Sequence, residues 1–531
     1  MLAGMTGRGT TGMGATMQAE MVVVGGGSAG CAIAGRLAAA GREVLLLEAG
    51  PDHGPFESGR WPRDLLDATA LALSHDWGYT SGRWTFERAR VMGGCSSHNG
   101  AIAAVGHRAD YDAWGLPGWS AADVAPVFER VVGELRVRTY RDDEVGPFHA
   151  RCLDAAEALG WRMAGDLCDL DANDGFGLET VNVVDGIRWN AAFAYIDAHR
   201  GGPHLRIADE VLVDRIAPAA GGGGRIVGRR RGEPFTVEYA TVVLAAGVYG
   251  TPSILQRSGI GDPVHLSSVG VDLVAALAGV GENLHDHSMV HADRAVGPDL
   301  QRWLDEAAAA GFLPEEQTLG KAVSSLATDG IYDLHLFPVC ASNQTSLLHG
   351  KVHVEVACMT PQSRGEVRIV SADPDAAPHI DHRYLGDAAG HDLAVLRHGL
   401  VLAEQLLDHP ALASVLGERL TDMSTEQSIR DTVAHYYHPV GTCRMGGDPA
   451  IDVGAVCDAR GRVYGVPSVV VGDASLIPQI PRGNTNLPAV MIGERIAESL
   501  LTADPRSAVT RGHVEPHREL GAGIADRGAG P

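Results

Sequence analysis

The feature that most constrains this chain is a glycine-rich turn between two apolar runs, in the stretch from Met21 to Gly50. The first run, Met21–Val24, is followed by a segment of small residues from 29 to 40, and the second run is Val44–Leu47. Three glycines at GxGxxG spacing follow the first run: Gly25, Gly27 and Gly30. They permit a tight turn and let the backbone approach a phosphate at a helix N-terminus. The stretch therefore predicts a β-α-β unit that binds a dinucleotide.

An acidic residue supports the same ligand. Glu48 follows the second apolar run, 18 residues beyond Gly30. An acidic side chain in this place can accept hydrogen bonds from an adenosine ribose. The order of strand, helix, strand and acid is more specific than glycine spacing alone, but it does not distinguish a flavin from a nicotinamide dinucleotide.

The charge balance and the cysteines exclude several classes of protein. Lys and Arg total 43 and Asp and Glu total 66, a net charge of −23, so the chain would repel the phosphates of nucleic acids. No apolar run is long enough to span a membrane. The eight cysteines are scattered without a CxxC pair, which indicates neither a disulfide framework nor a zinc site and favours a reducing cytoplasm.

Regular structure is predicted between Glu20 and Leu501. The segment 1–19 has no signal-peptide pattern and is predicted to be a disordered leader, and the Gly-, Arg- and Pro-rich segment 502–531 a disordered tail. Strand-like runs alternate with amphipathic helices, a mixture that indicates an α/β or α+β architecture. The glycine-rich patch from Gly221 lies between two strand-like runs and predicts the tip of a hairpin.

Five further motifs follow the glycine turn. The chain reads RVMGGCSSHNG from Arg90, TPSILQRSGIG from Thr251, GVGENLHDH from Gly279, YHPVGTCRMG from Tyr437 and VGDASLIPQIPRGNTNLPAVMIGE from Val471. Together with the N-terminal unit they resemble, in order, the glucose-methanol-choline (GMC) oxidoreductases, which are FAD-dependent. The resemblance extends over about residues 20–501, and the string GGCSSHN is similar to that of the choline oxidase-like members.

The resemblance implies an α/β fold in two parts. One is a Rossmann-like FAD-binding domain of the GMC fold, expected to be discontinuous and to comprise residues 20–106, 200–290 and 455–501. The other is an α+β substrate-binding domain built on a mostly antiparallel sheet, expected to comprise residues 107–199 and 291–454.

The resemblance also implies which residues contact FAD. In the family, residues 93–100 would lie against the flavin ring, Asp473 and Ala474 against the phosphate-ribitol region, and the Val211 backbone against the adenine. The complete set of expected FAD contacts is Gly25, Gly27, Ser28, Gly30, Glu48, Gly93, Gly94, Ser97, His98, Asn99, Gly100, Val211, Asp473 and Ala474. His98 is expected to bond covalently to the flavin 8α-methyl carbon, as in choline oxidase-like members. The alternative is a histidine that only packs against the flavin.

His438 and Asn486 are the expected catalytic pair. Oxidation of an alcohol by hydride transfer to flavin N5 needs a base for the hydroxyl proton and a donor that stabilises the developing alkoxide. A histidine with an ordinary pKa of about 6.5 suits the first task at neutral pH. Taken alone, a histidine before a proline would more often be structural. The resemblance assigns His438 as the base and Asn486 as the second residue.

A possible metal pair occurs in the string NLHDH. His285 and His287 flank Asp286 there and are spaced like two metal ligands. The resemblance places this string beside the flavin. We therefore expect no metal site.

The segment that sets specificity contains few recognisable signals. The stretch Leu319–Leu326 reads LGKAVSSL, where choline oxidase-like members hold a carboxylate flanked by tryptophans for a quaternary ammonium. It contains no acid and no aromatic residue, and Lys321 would repel a cation. The expected substrate is a neutral alcohol, a sugar or glycoside, or an aryl alcohol. Choline itself remains an alternative.

These observations predict an FAD-dependent alcohol oxidase or dehydrogenase whose flavin is reoxidised by O₂ or another electron acceptor. A lyase that uses the flavin without redox chemistry, as hydroxynitrile lyases do, a photodecarboxylase and a non-catalytic flavin-binding module are alternatives on the same fold. The pair His438 and Asn486 favours alcohol oxidation. We expect no nucleic acid or membrane partner, and a monomer or a homodimer.

Overall fold

The computed structural model describes residues 17–311, 313–340 and 350–502. Helices and strands alternate along these residues. The α-helices are Ser28–Ala39, Arg63–Leu66, Arg108–Asp112, Ala121–Glu134, Pro147–Ala158, Ala191–Tyr195, Gly247–Arg257, Pro263–Ser268, Pro298–Ala310, His391–Leu407, Pro410–Ala413, Glu426–Thr432 and Asn486–Thr502. Most of the strands belong to two seven-stranded sheets.

The first sheet is built around the predicted β-α-β unit. Its strands lie in the order Leu205–Ala208, Val44–Leu47, Met17–Val24, Glu233–Leu244, Gly224–Arg230 and Val211–Pro218, and Val469–Val471 also pairs with Glu233–Leu244. The patch predicted as one hairpin tip from Gly221 contains the strand Gly224–Arg230, which pairs antiparallel with Val211–Pro218 on one side and with Glu233–Leu244 on the other. The remaining pairings in this sheet are parallel. The predicted Rossmann-like sheet is confirmed.

The glycine turn allows the first helix to pack closely on this sheet. Strand Val44–Leu47 is buried along its whole length, as expected of a parallel strand that is covered on both faces. Helix Ser28–Ala39 contacts both this strand and the last helix, Asn486–Thr502. A Cβ atom on Gly30 would lie 1.9 Å from the carbonyl oxygen of Gly25. The turn and the helix can therefore touch only where no side chain intervenes.

The second sheet is antiparallel throughout. Its strands lie in the order Leu416–Arg419, Ser288–Val296, Lys351–Cys358, Leu334–Cys340, Thr318–Ala322 and Gly175–Leu178, and Ala434–His435 pairs with Ser288–Val296. This agrees with the predicted α+β part on a mostly antiparallel sheet. The remaining strands form short two-stranded ribbons: Tyr79–Ser81 with Trp84–Phe86, Arg138–Thr139 with Thr180–Val181, Val183–Val184 with Ile187–Arg188, Ile260–Gly261 with Ala275–Ala276, and Glu366–Arg368 with His379–Asp381.

The strand Lys351–Cys358 explains why the two faces of this sheet differ. Its sequence, KVHVEVAC, alternates valine with other residues. The three valines belong to the hydrophobic core that includes helix His391–Leu407. Because successive side chains of a strand point to opposite faces, His353 and Glu355 lie on the face turned away from that helix.

The ends of the chain differ slightly from the prediction. Residues Met17–Ala19, assigned to a disordered leader, are part of the first strand, because they extend its parallel pairing to Val237–Tyr239. The rest of the predicted leader, 1–16, and the predicted tail from 503 onward lie outside the described residues. The domain boundaries remain a prediction. Among the described residues, no helix is both long enough and apolar enough to cross a membrane.

Candidate active site

A cavity of about 980 Å³ is lined by residues of both sheets. On one side it reaches the carboxyl ends of parallel strands at Val24 and Leu47, the edge at which α/β proteins bind ligands. On the other side it reaches Met289 and Glu355 in the antiparallel sheet. The predicted site residues that line it are Gly25, Gly27, Ser28, Glu48, Gly94, His98, Asn99, Gly100, Val211, His438, Asp473, Ala474 and Asn486.

Three predicted FAD contacts support the cavity wall from behind instead of lining it. Gly30 packs against the glycine turn, as described above. The backbone N–H of Gly93 donates to the carbonyl of Gly26 over 2.7 Å, and the hydroxyl of Ser97 donates to the carbonyl of Met92 over 3.0 Å. In the structure these three residues shape the turns behind the cavity wall, and their predicted contact with FAD stays a prediction.

Glu48 holds the glycine turn in place from the neighbouring strand. Its two carboxylate oxygens accept hydrogen bonds from the backbone N–H groups of Gly26 and Gly50, each over 2.7 Å. Burial raises the pKa of this carboxyl to about 7. Each oxygen retains a lone pair, so Glu48 can still accept the predicted ribose hydrogen bonds at the cavity surface.

The walls of the cavity are shaped for a thin, phosphate-bearing group. A Cβ atom on Gly94 would lie 2.6 Å from Cα of Gly27, so the two glycine turns meet backbone to backbone. Arg90 and Arg257 line the same cavity and contribute positive charge. Sequence reasoning missed both arginines, because charge alone did not mark them among 43 basic residues. Glycine cradle, helix N-terminus and arginines together fit FAD.

Both carboxylate oxygens of Asp473 accept hydrogen bonds from other groups of the protein. Its carboxylate accepts hydrogen bonds from the Gly247 backbone N–H and the Thr251 hydroxyl through one oxygen, and from the Ser475 backbone and hydroxyl through the other. These bonds join the start of helix Gly247–Arg257 to the turn that contains Ala474. Asp473 therefore positions backbone groups at the cavity floor.

His98 lies in the cavity wall as a neutral imidazole. Burial, with smaller contributions from the positive charges of Arg88 and Arg188, lowers the pKa of His98 to about 4. No hydrogen bond joins its ring nitrogens to any residue in the described ranges. The side chain thus has an unprotonated nitrogen at the cavity surface, which a nucleophilic role requires.

His438 belongs to a buried cluster of polar groups. Its Nδ1 lies 3.0 Å from Nδ1 of His287, and its backbone N–H donates to Asp286 over 2.9 Å. The second Asp286 oxygen accepts a hydrogen bond from the Tyr384 hydroxyl over 2.9 Å. Burial, followed by the neighbouring His287, His335 and Arg88, holds the pKa of His438 well below its usual value. His438 is therefore neutral near pH 7 and able to accept a proton.

The contact with His287 couples the tautomers of the two histidines, because one of the facing Nδ1 atoms must donate and the other accept. A neutral imidazole carries one proton. When Nδ1 of His438 donates to His287, Nε2 of His438 keeps its lone pair. Nε2 has no hydrogen-bond partner in the described part of the chain. In that tautomer, His287 is a positioning residue that leaves Nε2 of His438 as the basic nitrogen.

Asn486 occupies the first position of the last helix, Asn486–Thr502. Its Oδ1 accepts a hydrogen bond from the Ser28 hydroxyl over 2.9 Å. Its Nδ2 is buried and has no partner among the residues that the structure describes. The amide orientation fixed by Ser28 leaves two N–H donors for a group in the cavity, which is the role predicted for the second catalytic residue.

The low pKa of His438 leads to a prediction for pH dependence. A base is active when unprotonated, so its activity is lost as the pH falls through its own pKa. Because that pKa lies well below its usual value, kcat/KM for an uncharged alcohol should stay level from about pH 8 to below about pH 6.5, the ordinary histidine pKa. A pH profile of kcat/KM measures this. An acid limb with its midpoint at or above about 6.5 would contradict the assigned environment.

The side chains on the antiparallel side of the cavity are not the ones expected from the sequence. Lys321 does not line it: the Lys321 side chain is buried elsewhere, where its Nζ donates to the carbonyl of Leu167 over 2.8 Å. The argument that a lysine repels a cationic substrate is therefore wrong. The cavity is instead lined on this side by side chains that sequence reasoning missed, namely His291, Glu315, Glu316, Phe337, His353, Glu355, Tyr436 and Tyr437.

Possible metal ligands do come together, at places other than NLHDH. Within the described ranges, ligand atoms approach within 4.8 Å of one another in two groups, His291 with Asp293 and His353, and Cys358 with His391 and Asp392. In each group two residues are close in sequence and the third comes from a distant segment, so no motif brought all three together. His285 instead uses its Nε2 to accept the backbone N–H of Ile480 over 3.0 Å. The expectation of no metal stays a prediction.

A Rossmann-like sheet, a glycine cradle for a dinucleotide and a neutral histidine in the same cavity define a flavin-dependent oxidoreductase. Two GMC oxidoreductase family models match residues 19–289 and 361–493. The chain belongs to the GMC oxidoreductases, and its cofactor is FAD.

Curated relatives align with nearly the whole chain. An oxygen-dependent choline dehydrogenase of Rhizobium johnstonii is 30% identical over 96% of this chain and 100% of its own length. One of Brucella canis is 31% identical over 94% and 98%. Among solved structures, pyridoxine 4-oxidase from Mesorbium loti is 26% identical with a TM-score of 0.77, covering 90% of this chain and 98% of its own. A formate oxidase from Aspergillus oryzae, at 22% identity and a TM-score of 0.78 over 93% and 99% of the two chains, shares the fold.

The chain is therefore an FAD-dependent oxidoreductase that acts on alcohols. This confirms the family, the cofactor and the reaction class that the motifs predicted.

Proposed function

We propose that this enzyme oxidises a small alcohol with His438 as the base and Asn486 as the donor to the substrate oxygen. The observation that carries the proposal is that the neutral imidazole of His438 lines one cavity with Asn486, whose Nδ2 has no hydrogen-bond partner among the described residues. His438 removes the hydroxyl proton, and Asn486 donates a hydrogen bond to the oxygen as negative charge develops on it.

The residues around the glycine cradle would hold FAD. Gly25, Gly27 and the N-terminus of the helix that begins at Ser28 suit the pyrophosphate, and Glu48 the ribose. Bound FAD supplies the acceptor for the hydride that leaves the carbinol carbon. His438 is buried in the wall of this cavity, where it can accept the proton of a bound hydroxyl group.

Anaerobic reduction of the flavin tests the proposed function. The purified holoenzyme is mixed with a panel of aliphatic, aryl and sugar alcohols and with amino alcohols, without oxygen. At least one alcohol should bleach the flavin absorbance and yield the carbonyl product. If no alcohol reduces a flavin that dithionite does reduce, the proposed function is wrong. Subsequent exposure to air or to a quinone separates an oxidase from a dehydrogenase.

We further propose that His98 bonds to the 8α-methyl carbon of FAD. The support is its neutral, unpartnered ring in the cavity wall. The new N–C bond replaces the N–H of His98 and one C–H of the methyl group, and the two electrons released reduce the flavin, which O₂ then reoxidises. Acid precipitation should leave yellow flavin in the pellet for the wild type and release it for His98→Asn. The exposed His379, replaced in His379→Asn, is the matched control. Free flavin from the wild type would disprove the bond.

The electron acceptor, the cellular compartment and the oligomeric state are proposed from the family and from the cysteines. The eight cysteines are free thiols, as is usual in a reducing cytoplasm. We propose O₂ or another small acceptor for the flavin, and a monomer or homodimer in the cytoplasm.

A further inference from the structure

The antiparallel side of the cavity is a polar wall made from one face of the second sheet. His291 pairs with Glu355 across two strands, and Glu355 pairs with Phe337 of the next strand. Because directly paired residues share a face, these side chains lie side by side. Glu316 joins them from the adjacent segment, where it pairs with Val339. We call Glu316, Glu355 and the residue behind them, Glu179, the acidic wall.

The acidic wall brings together three carboxyl groups, of which Glu179 and Glu316 form no ion pair with any described residue of the opposite charge, so that their negative forms lack a paired cation. No hydrogen bond from a described residue reaches the carboxylates of Glu316 and Glu355. Glu179 is completely buried, and neither of its carboxylate oxygens has a partner. Burial and the mutual repulsion of these groups raise the pKa of Glu179 and of Glu316 well above the usual value, and burial raises that of Glu355 to about 7. Such a cluster is costly unless a ligand supplies donors.

Arg188 acts on Glu316 and opposes the rise in the pKa of that carboxyl, but the hydrogen bonds of Arg188 are used elsewhere. Arg188 is buried, and its guanidinium donates to backbone carbonyls in the segments 64–70 and 97–99. It therefore holds loops together and does not pair with the acidic wall.

The histidines beside the acidic wall, His291 and His353, do not supply positive charge either. Burial lowers the pKa of His291 and of His353 to about 4, so both are neutral near pH 7. His353 is 3% exposed and lines the cavity; its Nε2 makes no hydrogen bond within the described ranges and lies 3.5 Å from Oε1 of Glu355. Carboxylates and unprotonated imidazole nitrogens together form a surface of hydrogen-bond acceptors.

We propose that the acidic wall binds a protonated primary or secondary amine of the substrate, which makes the enzyme an oxidase or dehydrogenase of amino alcohols. An ammonium group with N–H bonds supplies both the charge and the donors that the wall lacks. A quaternary ammonium supplies charge without donors and is recognised by aromatic cages. Here the aromatic residue that pairs directly with Glu355 is Phe337. The proposal rests on the proposed function, since it names the substrate class for the same cavity.

The wall is close enough to the base for a short substrate. The ring of Tyr436 lies 4.8 Å from that of His438 and 6.3 Å from that of Phe337, measured between centroids. The hydroxyl of Tyr436 is buried without a partner among the described residues, and after burial the acidic wall is what raises its pKa. One aromatic ring thus spans the space between the ammonium site and the site of proton abstraction.

The test compares matched pairs of substrates on the holoenzyme. Each amino alcohol is paired with the alkanol in which CH₃ replaces NH₃⁺: 2-aminoethanol with propan-1-ol, 3-aminopropan-1-ol with butan-1-ol, and 4-aminobutan-1-ol with pentan-1-ol. We expect the best amino alcohol to exceed its alkanol in kcat/KM by at least about tenfold, the effect of one charge-assisted hydrogen bond. In Glu355→Gln and Glu316→Gln this ratio should collapse towards one. Glu418→Gln, at an exposed position of the same sheet, should keep it.

A binding measurement separates this proposal from the proposed function. Calorimetric titration with butylammonium chloride, which has no hydroxyl group, should show binding to the wild type and weaker binding, by at least about tenfold, to Glu355→Gln. If butylammonium binds but no alcohol reduces the flavin, the ammonium site stands and the proposed function fails. If alkanols reduce the flavin but amino alcohols gain no advantage and butylammonium does not bind, the ammonium site is overturned.

Two further outcomes would also overturn it. The first is a higher kcat/KM for choline than for every N–H amine. The second is a metal ion that is retained at one equivalent through chelator treatment and lost in His291→Gln, because that would assign the wall to metal binding.

Discussion

Replacement of His438 by alanine is expected to slow anaerobic flavin reduction by about 10²- to 10⁴-fold, the usual contribution of a general base. The physical reason is the lone pair on Nε2 of His438, which is available when Nδ1 of His438 donates to His287. Without it, the hydroxyl proton loses the acceptor that lies in the same cavity as the amide of Asn486. Stopped-flow absorbance of the flavin with a saturating alcohol measures the rate directly.

The controls for this experiment address cofactor loss and misfolding. FAD content per chain and the thermal unfolding midpoint should match those of the wild type. His379→Ala, at an exposed strand residue, should reduce its flavin at the wild-type rate. A His438→Ala enzyme with full FAD and a rate within about threefold of the wild type would refute the assignment of the base.

The second large effect is expected from Gly30→Ala. The new Cβ atom would lie 1.9 Å from the Gly25 carbonyl oxygen and 3.3 Å from the Ala245 side chain. Both the glycine turn and the first helix would have to move, because backbone cannot yield as a flexible side chain can. We expect the free energy of unfolding to fall by at least about 1–3 kcal/mol, the usual cost of overpacking, and FAD to be lost on gel filtration.

Gly133→Ala is the matched control for that substitution. Gly133 lies in helix Ala121–Glu134, and no atom lies within 4 Å of its added Cβ. Glycine to alanine in a helix without steric conflict should stabilise the protein by about 0.5–1 kcal/mol. Denaturant unfolding of both variants, followed with the flavin content, gives the comparison. Equal stability and full FAD in Gly30→Ala would contradict the described packing.

The sequence was sufficient to predict those strands and helices whose pattern lies in neighbouring residues. Strand Val44–Leu47 has the predicted bounds, and the helix after the glycine turn is shifted by one residue. Short apolar runs and glycine spacing are local, so they can be read without a structure. His438 and Asn486 were reached through a family resemblance, and the structure places both in one cavity.

The acidic wall could not be predicted because it depends on strand register. His291 and Glu355 are neighbours only because strands Ser288–Val296 and Lys351–Cys358 pair in one register. A shift of one residue would turn Glu355 towards the hydrophobic core. Lys321 shows the same limit: a loose alignment put it at the substrate, whereas its strand directs it to the carbonyl of Leu167.

The hydrogen bond between Ser28 and Asn486 also has a consequence for biosynthesis. It joins the first helix of the described chain to the last, across 458 positions. During translation, the glycine turn leaves the ribosome long before the helix that completes the site. A nascent chain can therefore form its first β-α-β unit early, but it acquires the catalytic amide only after almost the whole polypeptide has been synthesised. Truncated translation products would lack this reactive centre, so synthesis itself sets the moment at which the enzyme can begin to consume its substrate.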